Sequence, residues 1–328
     1  MRSRVLVAAA AAALLLTASA PGHAQQYPTK SLTIVVPLAA GTGMDAVVRI
    51  YAEELAKSLG TSVVVENQPG AAMMLATTAV ARATSDGHTL LVAAIAPMAI
   101  NQTLYKSIAY DPDKDFVPIA LYAKSPFVLI ANPALGIDNV EQFLKRAKEM
   151  KATPISYSTP GVGFLQHLTM EFMKKSFSFE ATHVPYRSSP QSINDVVGGH
   201  VQVSFAEMGA SLPLIRSGQL KALAVTSLEK LNSLPDVPTI AAATGQAGYE
   251  AVSWHVILAP AATPQAVVDR LHAEMKRITG DKGFQDKLAA IGLLPVNTAP
   301  VEDVRKYIRA ERAKWSGVVK ELGLEGSQ

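Results

Sequence analysis

Twice, at well-separated points, the chain repeats one arrangement: a short strand pattern, a loop of small residues, then apolar residues at helical spacing. The first copy is the β-branched run Thr33–Val36, the stretch Pro37–Gly43, and a helix from Met44 carrying Val47, Val48, Tyr51, Leu55 and Leu59. The second is Ile155-Ser-Tyr157, the loop Ser158-Thr-Pro-Gly-Val-Gly163, and a helix over 164–175 with Leu168, Phe172 and Met173 on its apolar side. Around these copies, strand and helix patterns alternate. Further strands are expected at Ser62–Glu66, His88–Ile95, Phe127–Ala131, Ala181–Tyr186, Val201–Phe205, Leu220–Thr226 and Ser253–Ala259. Such alternation points to βα units around mostly parallel sheets, an α/β fold. At 328 residues the chain has room for about two domains, each with a substantial core.

A strand that turns through small residues into a helix aims unpaired backbone N–H groups and the positive end of the helix dipole at one point. An anion is the natural guest. The Ala39–Gly43 and Ser158–Gly163 loops therefore both read as sources of backbone donors, and Ser158 and Thr159 add hydroxyls. Facing each other, they would form a pincer. Asp45, at the start of the first helix, reads either as a partner for a ligand ammonium or hydroxyl or as a charge that complements the helix dipole. Arg187, just past the Ala181–Tyr186 strand, could hold a carboxylate. Glu207 would repel a second carboxylate if it pointed inward, and so reads as a specificity residue. Pro97 and Met98 follow the His88–Ile95 strand at its C-terminal end, where open α/β sheets bind ligands. Asp138-Asn-Val-Glu141 has the spacing of a capping box, with Asp138 expected to cap the next helix.

Several function classes are excluded. Arg2 and Arg4, the apolar run Val5–Ala18 and Gly22-His23-Ala24 form a secretory signal, so cleavage is expected after residue 24. That run is shorter than the roughly 20 residues of a membrane span. With no cysteine there is neither a disulfide framework nor a lipid-attachment site, which suits an exported periplasmic protein. Removal of Arg2 and Arg4 takes the formal charge from +3 to +1, too nearly neutral for a nucleic-acid partner. There is no thiol nucleophile, no His-Glu-x-x-His, no Gly-x-Ser-x-Gly elbow and no phosphate-loop lysine, and the scattered histidines lack metal spacing. No cofactor and no metal are expected. One hydrolase alternative remains on paper, a triad of Ser158, His167 and Asp195.

Motifs in series carry a family resemblance. In order they are Ser31–Pro37 with Ala-Gly-Thr-Gly-Met-Asp45 and Arg49, Val65-Glu-Asn-Gln-Pro-Gly70, Ser85-Asp-Gly-His-Thr-Leu-Leu91 and Asp115-Phe-Val-Pro-Ile119. They continue with His183-Val-Pro-Tyr186, Gly198-Gly-His-Val201, Leu220–Ser227, Leu234-Pro-Asp-Val-Pro-Thr239, Trp254, Ala259-Pro260 and Thr263-Pro264. Together, over the whole mature chain, they resemble the substrate-binding receptors of tripartite tricarboxylate transporters, the Bug solute-binding family. The resemblance implies a two-lobed, periplasmic-binding-protein-like (type II) fold with the ligand cleft between lobes. It implies lobe 1 from residues 25–123 and 236–328, lobe 2 from 124–235, and closure of the lobes on the ligand. It further implies a monomeric, non-enzymatic receptor that delivers a small carboxylate to the large and small membrane subunits of a transporter. Presentation of the ligand to a sensor kinase is the alternative partnership. The positions matching the family's ligand loops are Leu38 to Asp45 (Leu38, Ala40, Gly41, Thr42, Gly43 and Asp45), then Ser158, Thr159, Pro160 and Gly161, and Tyr186. Here the sequence departs from the family pattern. Leu38 replaces an aromatic, Thr42 splits a Gly-Gly pair, Ala71-Ala-Met-Met74 replaces a glycine-rich turn, Tyr186-Arg187-Ser188 replaces Tyr-Lys-Gly, and the acidic residue after the strand's Phe205 comes one place late, at Glu207.

Overall fold

The protein is described here from a computed structural model, which covers residues 27–328; the expected signal segment, 1–24, lies outside the described residues. The strands are β1 (Leu32–Val36), β2 (Val63–Asn67), β3 (Thr89–Ala94), β4 (Phe116–Ala131), β5 (Ile155–Thr159), β6 (Ala181–Pro185), β7 (Val203–Glu207), β8 (Lys221–Val225), β9 (Val252–Pro260) and β10 (Leu294–Pro295). They run in the order β2-β1-β3-β9-β4-β7-β5-β6, with β8 and β10 also paired to β4. The α/β, two-lobed expectation holds. On one side, β1 pairs in parallel with β2 and β3, and β9 then joins β3 to β4 antiparallel. On the other side, β5 pairs in parallel with β6 and β7, and β7 and β8 both pair antiparallel with β4.

The sixteen-residue β4 ties the two sides together. Its first part, through Pro126, pairs with β9; its second part, from Phe127, pairs with β7 and β8. The strand expected at Phe127–Ala131 is the second part of a longer one, in which a different partner takes over after Pro126. The chain passes back nearby: the Thr226 N–H donates to Phe127 O at 3.0 Å, and the Ala251 N–H donates to Thr226 O at 3.0 Å.

Three apolar clusters explain the order. The fully buried positions of β1 pack with Val47, Tyr51 and Leu55 of the Gly43–Leu59 helix and with Leu271 and Phe284. On the far side, Val128 and Ile130 meet Ile193, Val196, Leu231 and Leu234. The largest cluster runs through both, from Leu91 by way of Leu129 to Tyr157, Leu168 and the two buried tryptophans, Trp254 and Trp315. Trp315 belongs to the C-terminal helix Val301–Glu321 and meets Phe172 of the Leu165–Phe177 helix edge-on at 6.2 Å; Lys175 and Glu321 pair across the same seam at 2.6 Å. β2 alternates partly buried and exposed residues, as an edge strand with one wet face should. No helix of the described residues is long and apolar enough to cross a membrane.

One cap differs from expectation. Asn139, not Asp138, starts the Val140–Glu149 helix, its Oδ1 accepting from the Gln142 N–H at 2.9 Å. Gln142 returns the contact by accepting the Asp138 N–H, so the box forms one residue later, while Asp138 pairs with Lys221.

Candidate functional site

A cavity of about 430 Å3 opens where the C-terminal ends of strands from both sides converge. Its first-lobe wall is Pro37 and Leu38 after β1, Pro69–Met73 after β2, and Ala94–Ala96 with Ile100, Asn101, Leu104 and Tyr105 after β3. The facing wall is Val162–Gln166, the entry to the Leu165–Phe177 helix, with Ser189 beyond it. Phe127, its register partner Glu207, and Ser253 of β9 lie beside the point where β4 changes partners. A larger groove, about 880 Å3, lies between the outer faces of the Val140–Glu149, Leu165–Phe177 and Val301–Glu321 helices. Four lysines and three glutamates line it, and neither small-residue loop reaches it. The inter-lobe cavity is the better candidate: it sits at the strand ends and is mostly apolar with a few convergent polar groups.

The two expected loops contribute unequally. In the first, Leu38 reaches the cavity, but Ala40, Gly41, Thr42 and Gly43 stay outside its lining. They are held by Asp45, whose side chain is 4% exposed. Its Oδ2 accepts from the Gly41 N–H at 2.9 Å and from Arg49 Nε at 3.0 Å; its Oδ1 accepts from Asn67 Nδ2 at 2.9 Å and faces Arg49 Nη2 at 2.9 Å. The Arg49 hydrogen bond is the largest influence that holds the Asp45 pKa down at about 2. Both oxygens are thus occupied within the protein, and the Gly41 donor is spent on the loop itself. Thr42 Oγ1 caps the helix loosely, accepting from the Asp45 N–H at 3.4 Å.

The second loop dips before it reaches the cavity. Ser158 and Thr159 are fully buried. Ser158 Oγ donates to Ser192 O at 3.0 Å, and Thr159 Oγ1 lies 2.6 Å from His183 Nε2 and accepts from the Gly161 N–H at 3.2 Å. Pro160 is buried and Gly161 half-buried, both beneath the exposed Val162 and Phe164. Gly163, at φ +80°, packs against the other wall; a Cβ there would lie 2.7 Å from Leu104 Cδ2, and the left-handed backbone itself favours glycine.

Beyond Gly163 the site is built from groups that the motif reading passed over. The Leu165–Phe177 helix opens at Phe164 with no side-chain cap. Its first-turn N–H groups therefore have no side-chain partner among the described residues, and its first two residues, Leu165 and Gln166, line the cavity at the positive end of the helix dipole. Gln166, in that first turn, is 5% exposed and lines the cavity, and its side-chain amide has no hydrogen-bond partner among the described residues. The Gly163 N–H donates to His167 Nδ1 at 3.2 Å, which fixes the loop to the helix. Behind it the rings of Tyr157, His183 and His167 stack in series, with 4.9 and 4.1 Å between neighbouring centroids. Burial pushes both imidazoles down, His183 to about 4.

The other expected residues sit apart from the cavity. Pro97 and Met98 are buried in a π-helical turn, Ala96–Ile100, that carries them away from it. Pro97 O accepts from Tyr110 Oη at 2.8 Å, Met98 O accepts from Arg312 Nε at 2.9 Å, and Ala94–Ala96 take the cavity wall instead. Tyr186 Oη donates to Asp195 Oδ2 at 2.5 Å; burial first, then that hydrogen bond, raises its pKa to about 12. Arg187 is exposed and outside the lining. Ser158, His167 and Asp195 each have other partners, so no triad assembles. Among the described residues no cluster of His, Asp or Glu is arranged to hold a metal ion.

Comparison with known proteins agrees with this architecture. The family profile described as "Tripartite tricarboxylate transporter family receptor" matches residues 47–324. Protein BugT of Bordetella pertussis is 32% identical over 306 residues, covering 93% of each chain. The R. palustris protein Rpa4515, solved with adipate, superposes with a TM-score of 0.77 at 31% identity, covering 90% of this chain and 98% of its own. MatC from Rhodopseudomonas palustris, solved with bound malate, gives 0.72 at 30% identity, covering 89% of this chain and 100% of its own.

Proposed function

This chain belongs to the tripartite tricarboxylate transporter receptor family, and we propose that it is a periplasmic solute-binding receptor whose inter-lobe cavity takes a small organic carboxylate. One observation carries the assignment of the seat. The uncapped N-terminus of the Leu165–Phe177 helix and the unpartnered amide of Gln166 converge on one apolar cavity. Backbone donors there bind the carboxylate, and the helix dipole adds to the attraction. Leu38, Pro69 and the alanines of the facing wall cover its carbon body. The adipate and malate held by relatives support an acid as guest.

The lobes close about the crossings of β4 and its return strand, the flytrap mode of two-lobed receptors. We place those crossings at Ser125–Phe127 and at Thr226–Ala251. Supporting this are the change of β4 partners after Pro126 and the packing of Leu231 and Leu234 against Val128 and Ile130. That return span contains the boundary at 235/236 expected from sequence. The closed form delivers its ligand to the large and small membrane subunits of a transporter, after export by the N-terminal signal. The protein works by binding.

A thermal-shift screen of organic acids tests the reading. At least one acid should raise Tm progressively with concentration. Gln166→Glu, nearly isosteric but anionic, should weaken that acid at least tenfold while the protein stays folded. Acids that bind Gln166→Glu as well as wild type would remove this seat, and silence across the whole screen would remove the receptor assignment.

A further inference from the structure

The cavity carries a charge of its own. Among its lining residues Glu207 is the sole Asp, Glu, Lys, Arg or His. Glu207 ends β7 and is exposed to the cavity; its backbone carbonyl accepts from Ser211 Oγ at 2.8 Å, but its carboxylate has no partner among the described residues. Phe127 is its register partner on β4, and the rings of Phe127, Tyr105 and Phe164 line the same space. Partial screening from water by these walls raises the Glu207 pKa.

We propose that Glu207 binds a positively charged nitrogen of the ligand, so that the preferred guest is a zwitterion with its carboxylate at Gln166 and its cation at Glu207. The inference rests on the carboxylate seat proposed above. A second carboxylate at this end would face Glu207 with no lining cation to offset the repulsion. A plain alkyl tail would strip water from Glu207 and return nothing. An ammonium satisfies it, and the neighbouring aromatic faces attract cations as well. The late placing of the acidic residue, Ala206 then Glu207, brings about this arrangement: alternation along β7 buries Ala206 in the outer cluster and leaves Glu207 to the cavity.

Titration calorimetry at pH 7.5 with matched acids of three to six carbons decides the matter. Four series are compared: monoacids, diacids, α-amino acids and ω-amino acids. At least one amino acid should bind tenfold or more tightly than the monoacid and diacid of its length. Glu207→Gln should erase that advantage, with the monoacid bound no more weakly than by wild type because its tail no longer dehydrates a charge, and Glu207→Lys should turn the preference toward the diacid. A diacid that binds wild type most tightly, as when a protonated Glu207 donates to it, overturns the proposal. So does an amino-acid advantage that survives in Glu207→Gln. In both of those cases acids still bind and the receptor reading stands; silence from all four series removes both together.

Discussion

Replacing Asp45 separates two roles that its position permits, holding the first loop or touching the ligand. In the structure its buried carboxylate draws together the loop at Gly41, the helix at Arg49 and the end of β2 at Asn67. Two of these bonds come from neutral donors to a carboxylate and are worth roughly 1.5–3 kcal/mol each. The Arg49 guanidinium is half-exposed, so its pairing adds only about 0.5–1 kcal/mol. Asp45→Ala leaves three sets of donors unmatched and should cost about 4 kcal/mol after partial rehydration. Asp45→Asn keeps one acceptor but turns an NH2 toward a donor, so about 2 kcal/mol is expected. Urea unfolding followed by the fluorescence of the buried Trp254 and Trp315 would measure both. The low pKa adds a signature. Its stabilisation is fully present above the unfolded carboxylate value, near 4, and is lost as pH falls toward about 2, so Asp45→Asn should flatten the acid limb of stability there. If both variants unfold within 0.5 kcal/mol of wild type while ligand affinity collapses, the loop-holding account is wrong and Asp45 belongs to the ligand.

Two further outcomes follow from strain and from buried imidazoles. Ala72 adopts φ 50°, ψ 43°, a left-handed conformation that costs an L-residue about 1–2 kcal/mol. Ala72→Gly removes that cost but gives the unfolded chain about 0.4–1 kcal/mol more entropy, so a net gain of about 0.5–1 kcal/mol is expected; a lower urea midpoint would contradict the strain. His167, His183 and His255 are all held below the usual imidazole range, first by burial, the last two at about 4. The unfolded chain takes up these protons near pH 6.5 and the folded chain resists them, so stability should fall as pH drops from about 6.5 to about 4. A protonated His167 cannot accept the Gly163 N–H, so ligand affinity should weaken once the folded chain takes up that proton, below the usual imidazole range. Thermal melts and binding measured at pH 7.5, 5.5 and 4.5 check both, and a flat response refutes them.

Much of the fold was legible because burial and pattern coincide. The run Thr33–Val36 is β-branched because β1 lies between two neighbours with both faces covered, and that composition survives in one dimension. Burial of both faces also shows in β3 and the second part of β4, as nearly continuous apolar runs. The site was legible only as a location. Small residues marked where loops would meet at the strand ends, but not which of their N–H groups remained free. Gly41 loses its donor to Asp45, and Asp45 is held in turn by Asn67, 22 residues further on; no local spacing encodes that closure. Gln166 was within reach of the same reasoning. A lone amide in the first turn of a helix, between Leu165 and His167, has no apolar reason to be buried, and its burial becomes visible only when the other lobe is brought over it.

The departure at Ala71–Met74 gains a physical sense from the cavity it borders. Where the family pattern leads one to expect glycine, Ala71, Ala72 and Met73 all take positive φ. Glycines would relieve the strain and also remove the methyl groups and the thioether chain that fill this wall. The strained turn is fixed from outside, since Asn101, 2% exposed, donates its Nδ2 to Ala72 O at 3.1 Å. Asn101 directly follows the π-helical turn Ala96–Ile100, so two uncommon backbone forms brace one another at the cavity edge. Uncommon backbone that is held by its surroundings tends to gather where shape matters for binding. Side chains in place of hydrogens make this wall more apolar and bring it further into the cavity than a glycine turn could. That leaves less room for hydrated polar groups along the ligand's body, and confines its polar recognition to the two ends, Gln166 and Glu207.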